Sequence, residues 1–132
     1  MPFRKLVVFI MLPVLFSCKE DNTDYESLAA SEAAKEYYST LKEGKCDKFI
    51  DGFVRIKSYP EECRSEFRKN AEDFMNVQKD RHGGIISVEV SSTERDSINK
   101  TINVFLSLSY GDSTKTRVLV PMVKDNDKWL MK

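Results

Sequence analysis

Ile98-Asn99-Lys100-Thr101-Ile102-Asn103-Val104-Phe105-Leu106-Ser107-Leu108-Ser109-Tyr110 is the stretch that decides the fold. Its even positions are apolar except for Lys100, and its odd positions carry only Phe105. A period of two places alternate side chains on opposite faces, so this is a strand with one face buried and one solvated, as in an antiparallel sheet. Upstream, Ile86, Val88 and Val90 repeat the pattern and predict a first strand after Gly83-Gly84. Downstream, Gly111-Asp112-Ser113 reads as a turn, and Thr116, Val118, Val120 and Met122 as a third strand. Asp125-Asn126-Asp127 turns the chain once more into a short last strand, Trp129-Leu130-Met131.

The half before Gly83 has a helical period instead. Leu28, Ala30, Ala33, Ala34, Tyr37, Tyr38 and Leu41 recur at three- and four-residue spacing, and Gly44 supplies a stop. Thr23 and Glu26 have capping-box spacing at its start. A short second helix over 45–53 would gather Cys46, Phe49, Ile50 and Phe53. A third, opened by the box Ser58-Tyr59-Pro60-Glu61, would run to about Arg81 with Cys63, Phe67, Ala71, Phe74 and Met75 as its stripe. Helices followed by consecutive hairpins predict an α+β domain: three N-terminal helices packed on a curved antiparallel four-stranded sheet.

Composition limits the function. The 132 residues are 41% hydrophobic and 32% charged, which suits one small globular domain. Lys plus Arg equals Asp plus Glu at 21 each, so no basic excess points to nucleic acid. One histidine, His82, leaves no multi-histidine metal site, and no cofactor motif is present. Asp125-Asn126-Asp127 lacks the glycine and distant glutamate of a calcium loop and reads as a turn. His82 beside Gly83 reads as a cation at a helix C-terminus.

Residues 1–17 have the composition of an export signal. Arg4 and Lys5 precede an unbroken run from Leu6 to Phe16, too short for a hydrocarbon core that needs about 20 residues. Leu15-Phe16-Ser17-Cys18 resembles the lipobox of bacterial lipoproteins, in which the cysteine is lipidated and the signal removed before it. Phe16 departs from the commoner small or β-branched residue. The resemblance implies Cys18 as the lipidation site, with residues 18–25 as lipidated cysteine and tether and 26–132 as the domain. It implies a lipid-anchored location at the outer membrane. Lys19-Glu20-Asp21 resembles the charged export signal of some surface lipoproteins, and surface and periplasmic faces both stay open. Each buried methylene contributes about 0.8 kcal/mol, so several acyl chains hold a protein in a bilayer. The mature chain would carry 19 basic against 21 acidic residues.

The order of helices and strands, with the ending Asp127-Lys128-Trp129-Leu130-Met131-Lys132, resembles the nuclear-transport-factor-2-like superfamily. The alternative, a cystatin-like single helix on a sheet, does not use the helices expected at 45–53 and 58–81. The resemblance implies a cone-shaped sheet whose concave face meets the helices. Enzymes of that superfamily place proton-transfer groups there, for which Tyr37, Tyr38, Asp47 and Tyr110 are the candidates. The inward positions are nearly all aliphatic, which favours core packing or apolar binding over catalysis.

The reading that follows is a non-catalytic binding module of the cell envelope. Tyr38, Phe53, Tyr110 and Trp129 would line a pocket for a small apolar ligand. A protein-interaction or assembly role is the alternative, and an acid–base enzyme a third. With Cys18 lipidated, Cys46 and Cys63 form an even pair in an exported protein: either a disulfide or two reduced, buried thiols.

Overall fold

Strand β2, Thr101–Tyr110, is the spine of the molecule, and the computed structural model describes residues 25–132 around it. It is flanked by β1, Ile85–Asp96, and β3, Lys115–Asp125, and β4, Lys128–Met131, closes a four-stranded antiparallel meander in the order β1-β2-β3-β4. Ile102, Val104, Leu106, Leu108 and Tyr110 are all buried, as the alternation requires. They share one core cluster with Val120 and Met122 of β3 and Met131 of β4.

The helical layer supplies the other half of that cluster. Residues 25–42 are helical (α1) and contribute Ala30, Ala34 and Leu41, small residues that let the helix lie close to the sheet. Helix α2, Cys46–Ile50, contributes Cys46, Phe49 and Ile50. Helix α3, Glu61–His82, buries only Ala71, with Phe67 and Met75 packed partly against the core one turn on either side.

Several expectations are corrected. The second helix stops at Ile50, and a separate 3₁₀ turn, Val54–Ser58, follows it. Pro60, not Ser58, precedes the first turn of α3, and the Ser58 hydroxyl donates to the Arg55 carbonyl instead. Ile98 is not on a strand: β2 begins at Thr101, and Ile98 lies in the β1–β2 turn. In β1 the buried pair is Ile85 and Val88, while Ile86 and Val90 are exposed. A register shift between Ile85 and Ser87 inserts a residue and reverses the facing of the strand's start. The expected signal (1–17), Cys18, the tether and the Thr23 cap lie outside the described residues, apart from Tyr25 at the tether's end. Among the described residues, no helix is long and apolar enough to cross a membrane.

Backbone contacts tie the helical layer to the edge of the sheet. The Met131 amide donates to the Gly52 carbonyl at 2.7 Å, and Phe53 bridges Met131 in parallel, so the α2–3₁₀ link covers the free edge of β4. At the other end Gly83, with φ of 81°, terminates α3 in the left-handed conformation that glycine adopts without a Cβ clash. Its amide donates to Lys79 and that of Gly84 to Gln78, which satisfies the last carbonyls of the helix.

Candidate functional site

The inward face of the sheet is filled mainly by buried aliphatic side chains, and two clefts open where the helices meet the sheet. The apolar one lies among α1, α2, α3 and β3. Tyr38, Leu41, Phe49, Ala71, Phe74 and Val118 enclose about 210 Å³. Tyr38 meets Phe49 edge-to-face at 5.2 Å, which fixes the ring as a wall of the cleft. Burial pushes the Tyr38 phenol up from its ordinary pKa, so it stays protonated at neutral pH. Among the described residues its hydroxyl has no hydrogen-bond partner, which leaves one polar handle in an apolar cleft.

A larger and more polar cleft of about 570 Å³ lies where α1 meets the β1–β2 turn. Trp129, Ile102 and Val123 form its apolar side, and Glu26, Arg95, Lys100 and Lys124 its charged one. Glu26 lies 3.3 Å from Arg95 and 3.9 Å from Lys124, so one carboxylate bridges two strands. Asp96 accepts from the amides of Ile98 and Asn99 and from the Asn99 side chain, and these bonds, the side-chain one foremost, hold its carboxyl below the usual range.

The four lining candidates do not converge. Tyr38 is in the apolar cleft and Trp129 in the polar one. Phe53 lies between Phe49, which it meets edge-to-face at 5.4 Å, and Phe67, tilted against it at 5.1 Å. Tyr110 is buried, with the His82 ring 5.2 Å away. Asp47 is exposed beside Arg68. Tyr37 donates its hydroxyl to the Trp129 carbonyl at 2.9 Å and is a structural tie.

Cys46 is buried and Cys63 exposed, and both are free thiols. Cys63 is on the solvated side of α3 rather than on its packed stripe. The Cys46 thiol is pushed up first by burial and then by Glu72 and Asp47. It opens onto a cleft of about 370 Å³ with Arg68 and Glu72.

One chemistry-bearing pair was not legible in the chain. His82 Nδ1 lies 2.8 Å from Asp112 Oδ2, and the Asp112 amide donates to the His82 carbonyl at 2.9 Å. Asp112 also accepts from the Thr114 hydroxyl at 2.5 Å and its amide at 3.0 Å. The Thr114 hydroxyl first, then His82, lower the Asp112 carboxyl to a pKa of about 2. A one-residue sign existed, the polar Asp112 in a Gly-Asp-Ser turn, but nothing in it named a partner thirty residues away. Cys63 and His82 stand at opposite ends of α3, about 28 Å apart at 1.5 Å per residue, so that thiol has no imidazole base. Among the described residues, no three His, Cys, Asp or Glu side chains gather to hold a metal ion.

Neither a family model nor a curated protein sequence matches the chain. Among solved structures it is similar to one described as a "Putative NTF2-like transpeptidase" from Campylobacter jejuni. The two share 13% identity at a TM-score of 0.60, over 76% of this chain and 94% of that one. At that identity the likeness speaks for the backbone alone, and the transpeptidase name stays with the other protein. With helices packed on an open four-stranded antiparallel sheet, this chain has the NTF2-like α+β fold.

Proposed function

We propose that the chain is a lipid-anchored protein of the bacterial envelope, held at the outer membrane through Cys18, whose domain is a non-catalytic binding module. The helices are taken as the three-helix cover of an NTF2-like cone. The anchor rests on Leu15-Phe16-Ser17-Cys18 and the apolar run before it. The observation that carries the binding role is the Tyr38–Phe49–Phe74–Val118 cleft. Its volume of about 210 Å³ suits one ring or a short acyl segment, since a dry apolar cavity of about 150 Å³ takes benzene. The free Tyr38 hydroxyl at its edge would orient a ligand with a single polar atom.

The test is a heteronuclear NMR titration of residues 19–132 with 4-fluorophenol. The expected result is saturable shifts confined to the surroundings of Tyr38, Ala71 and Val118, abolished by Ala71→Phe, which fills the cleft. Shifts that stay the same in Ala71→Phe would remove the site.

A second reading, a protein-interaction surface, is favoured by the outward face of the sheet. There Phe105 pairs directly across the ladder with Leu119, which is 52% exposed, and the Arg117 guanidinium lies 4.4 Å over the Phe105 ring. Leu119→Asp abolishing recovery of a crosslinked envelope partner would favour this face over the cleft.

A further inference from the structure

The meander puts the β1–β2 and β3–β4 turns at one end of the sheet and the β2–β3 turn at the other, separated along β2 by about 30 Å at 3.4 Å per residue. The start of α1 is fixed at the first end, because Glu26 pairs with Arg95 of β1 and Lys124 of β3. Ile98 and Tyr25, the two most open large apolar side chains among the described residues, are 92% and 73% exposed, and both belong to this end. Leu28, one turn along α1 from Tyr25, is 55% exposed. The carboxylate of Asp96 is taken up by the turn's own donors. Lys100 and Lys128, one at each turn, have no ion-pair partner among the described residues.

From these placements we infer that the β1–β2 turn is a membrane-contacting tip: Ile98 enters the headgroup region of an anionic phospholipid leaflet while Lys100 and Lys128 meet its phosphates. The inference rests on the anchored reading, with seven residues from Cys18 to Tyr25 reaching at most about 24 Å. That length keeps the Tyr25 end of the domain nearest the bilayer, and the opposite turn, about 30 Å further along β2, points away from it. An isoleucine that no protein group covers then has a solvent to enter, and lysines beside an anionic leaflet are attracted to it.

The experiment uses the full chain, processed in a Gram-negative host and reconstituted in vesicles of phosphatidylethanolamine and phosphatidylglycerol that carry nitroxide-labelled lipid. In a Cys63→Ser background, single labelling sites are made by Ile98→Cys and, at the far end, Lys115→Cys; both positions are exposed. The label at 98 is expected to be quenched several-fold more than the label at 115. Equal quenching, or stronger quenching at 115, overturns the orientation. The intact mass of the same sample separates the two ideas. Acyl chains present with an unquenched 98 label sink the contact alone, whereas a chain without acyl groups sinks the anchored reading and the contact with it.

Discussion

The Tyr37 ring lies against Gly52 so closely that a Cβ on Gly52 would stand 2.6 Å from its Cδ1. The same tyrosine donates to the Trp129 carbonyl, and Gly52 accepts from Met131, so α1, the α2–3₁₀ link and β4 meet at one point. Only a residue without a side chain leaves room for the Tyr37 ring at this position. This junction closes the free edge of the sheet and positions Trp129 at the polar cleft.

Gly52→Ala is therefore expected to destabilise the domain by about 1–3 kcal/mol through overpacking against the Tyr37 ring. Tyr37→Phe keeps the ring and removes one hydrogen bond, for a loss of about 1 kcal/mol. Urea unfolding of both variants checks the order. An undiminished midpoint in Gly52→Ala would mean that Tyr37 moves aside freely.

The His82–Asp112 contact ties the end of α3 to the β2–β3 turn. Asp112 is lowered to about 2 in the fold against an ordinary 3.8, so its contribution is complete above about pH 4. It falls as acid protonates the carboxyl through about 2. Asp112→Asn should lower the unfolding midpoint at pH 6, and the gap from the parent should narrow steadily between pH 4 and 2. The pH series of denaturant midpoints decides, and a gap independent of pH across that window would contradict the assignment.

Much of this architecture is legible in the chain because strand parity is a local signal. The alternation from Ile102 to Tyr110 names five buried side chains correctly, and Val120 and Met122 follow the same rule. Parity fails where the backbone slips: one inserted residue after Ile85 leaves Ile86 exposed, and the turn at 97–100 takes Ile98 off the strand. The candidate sites were less legible. Tyr38 was singled out, but Phe74 and Val118 of the same cleft read only as members of apolar stripes. Their meeting depends on how α3 crosses the sheet, which no spacing encodes. His82 with Asp112, and Glu26 with Arg95 and Lys124, are long-range polar contacts with no motif.

The two thiols should differ sharply in reactivity. Cys63 is exposed, whereas Cys46 is buried and its thiolate disfavoured by burial and by Glu72. In the native processed chain a thiol reagent at pH 7 should modify one cysteine quickly, and the second only after unfolding. Mass mapping should place the fast adduct on Cys63. No reactive thiol before or after unfolding would instead indicate a bond between them.

Leu106 is fully buried at the centre of β2, between β1 and β3. Leu106→Ala should cost about 2–5 kcal/mol, the range for an aliphatic truncation in a packed core. Leu119→Ala, on the outward face of the neighbouring strand, should change stability by less than about 0.5 kcal/mol. Comparable losses in chemical denaturation would show that both faces of the sheet are covered.

Whether a folded binding domain is tied to a bilayer at one cysteine is decided by the intact mass of the chain extracted from envelopes of a Gram-negative host. The expected mass is that of residues 18–132 plus a diacylglyceryl thioether and an amide-linked acyl chain, lost together in Cys18→Ser, with release from the membrane fraction. An unmodified Cys18 in a processed chain that still sediments with envelopes would contradict it.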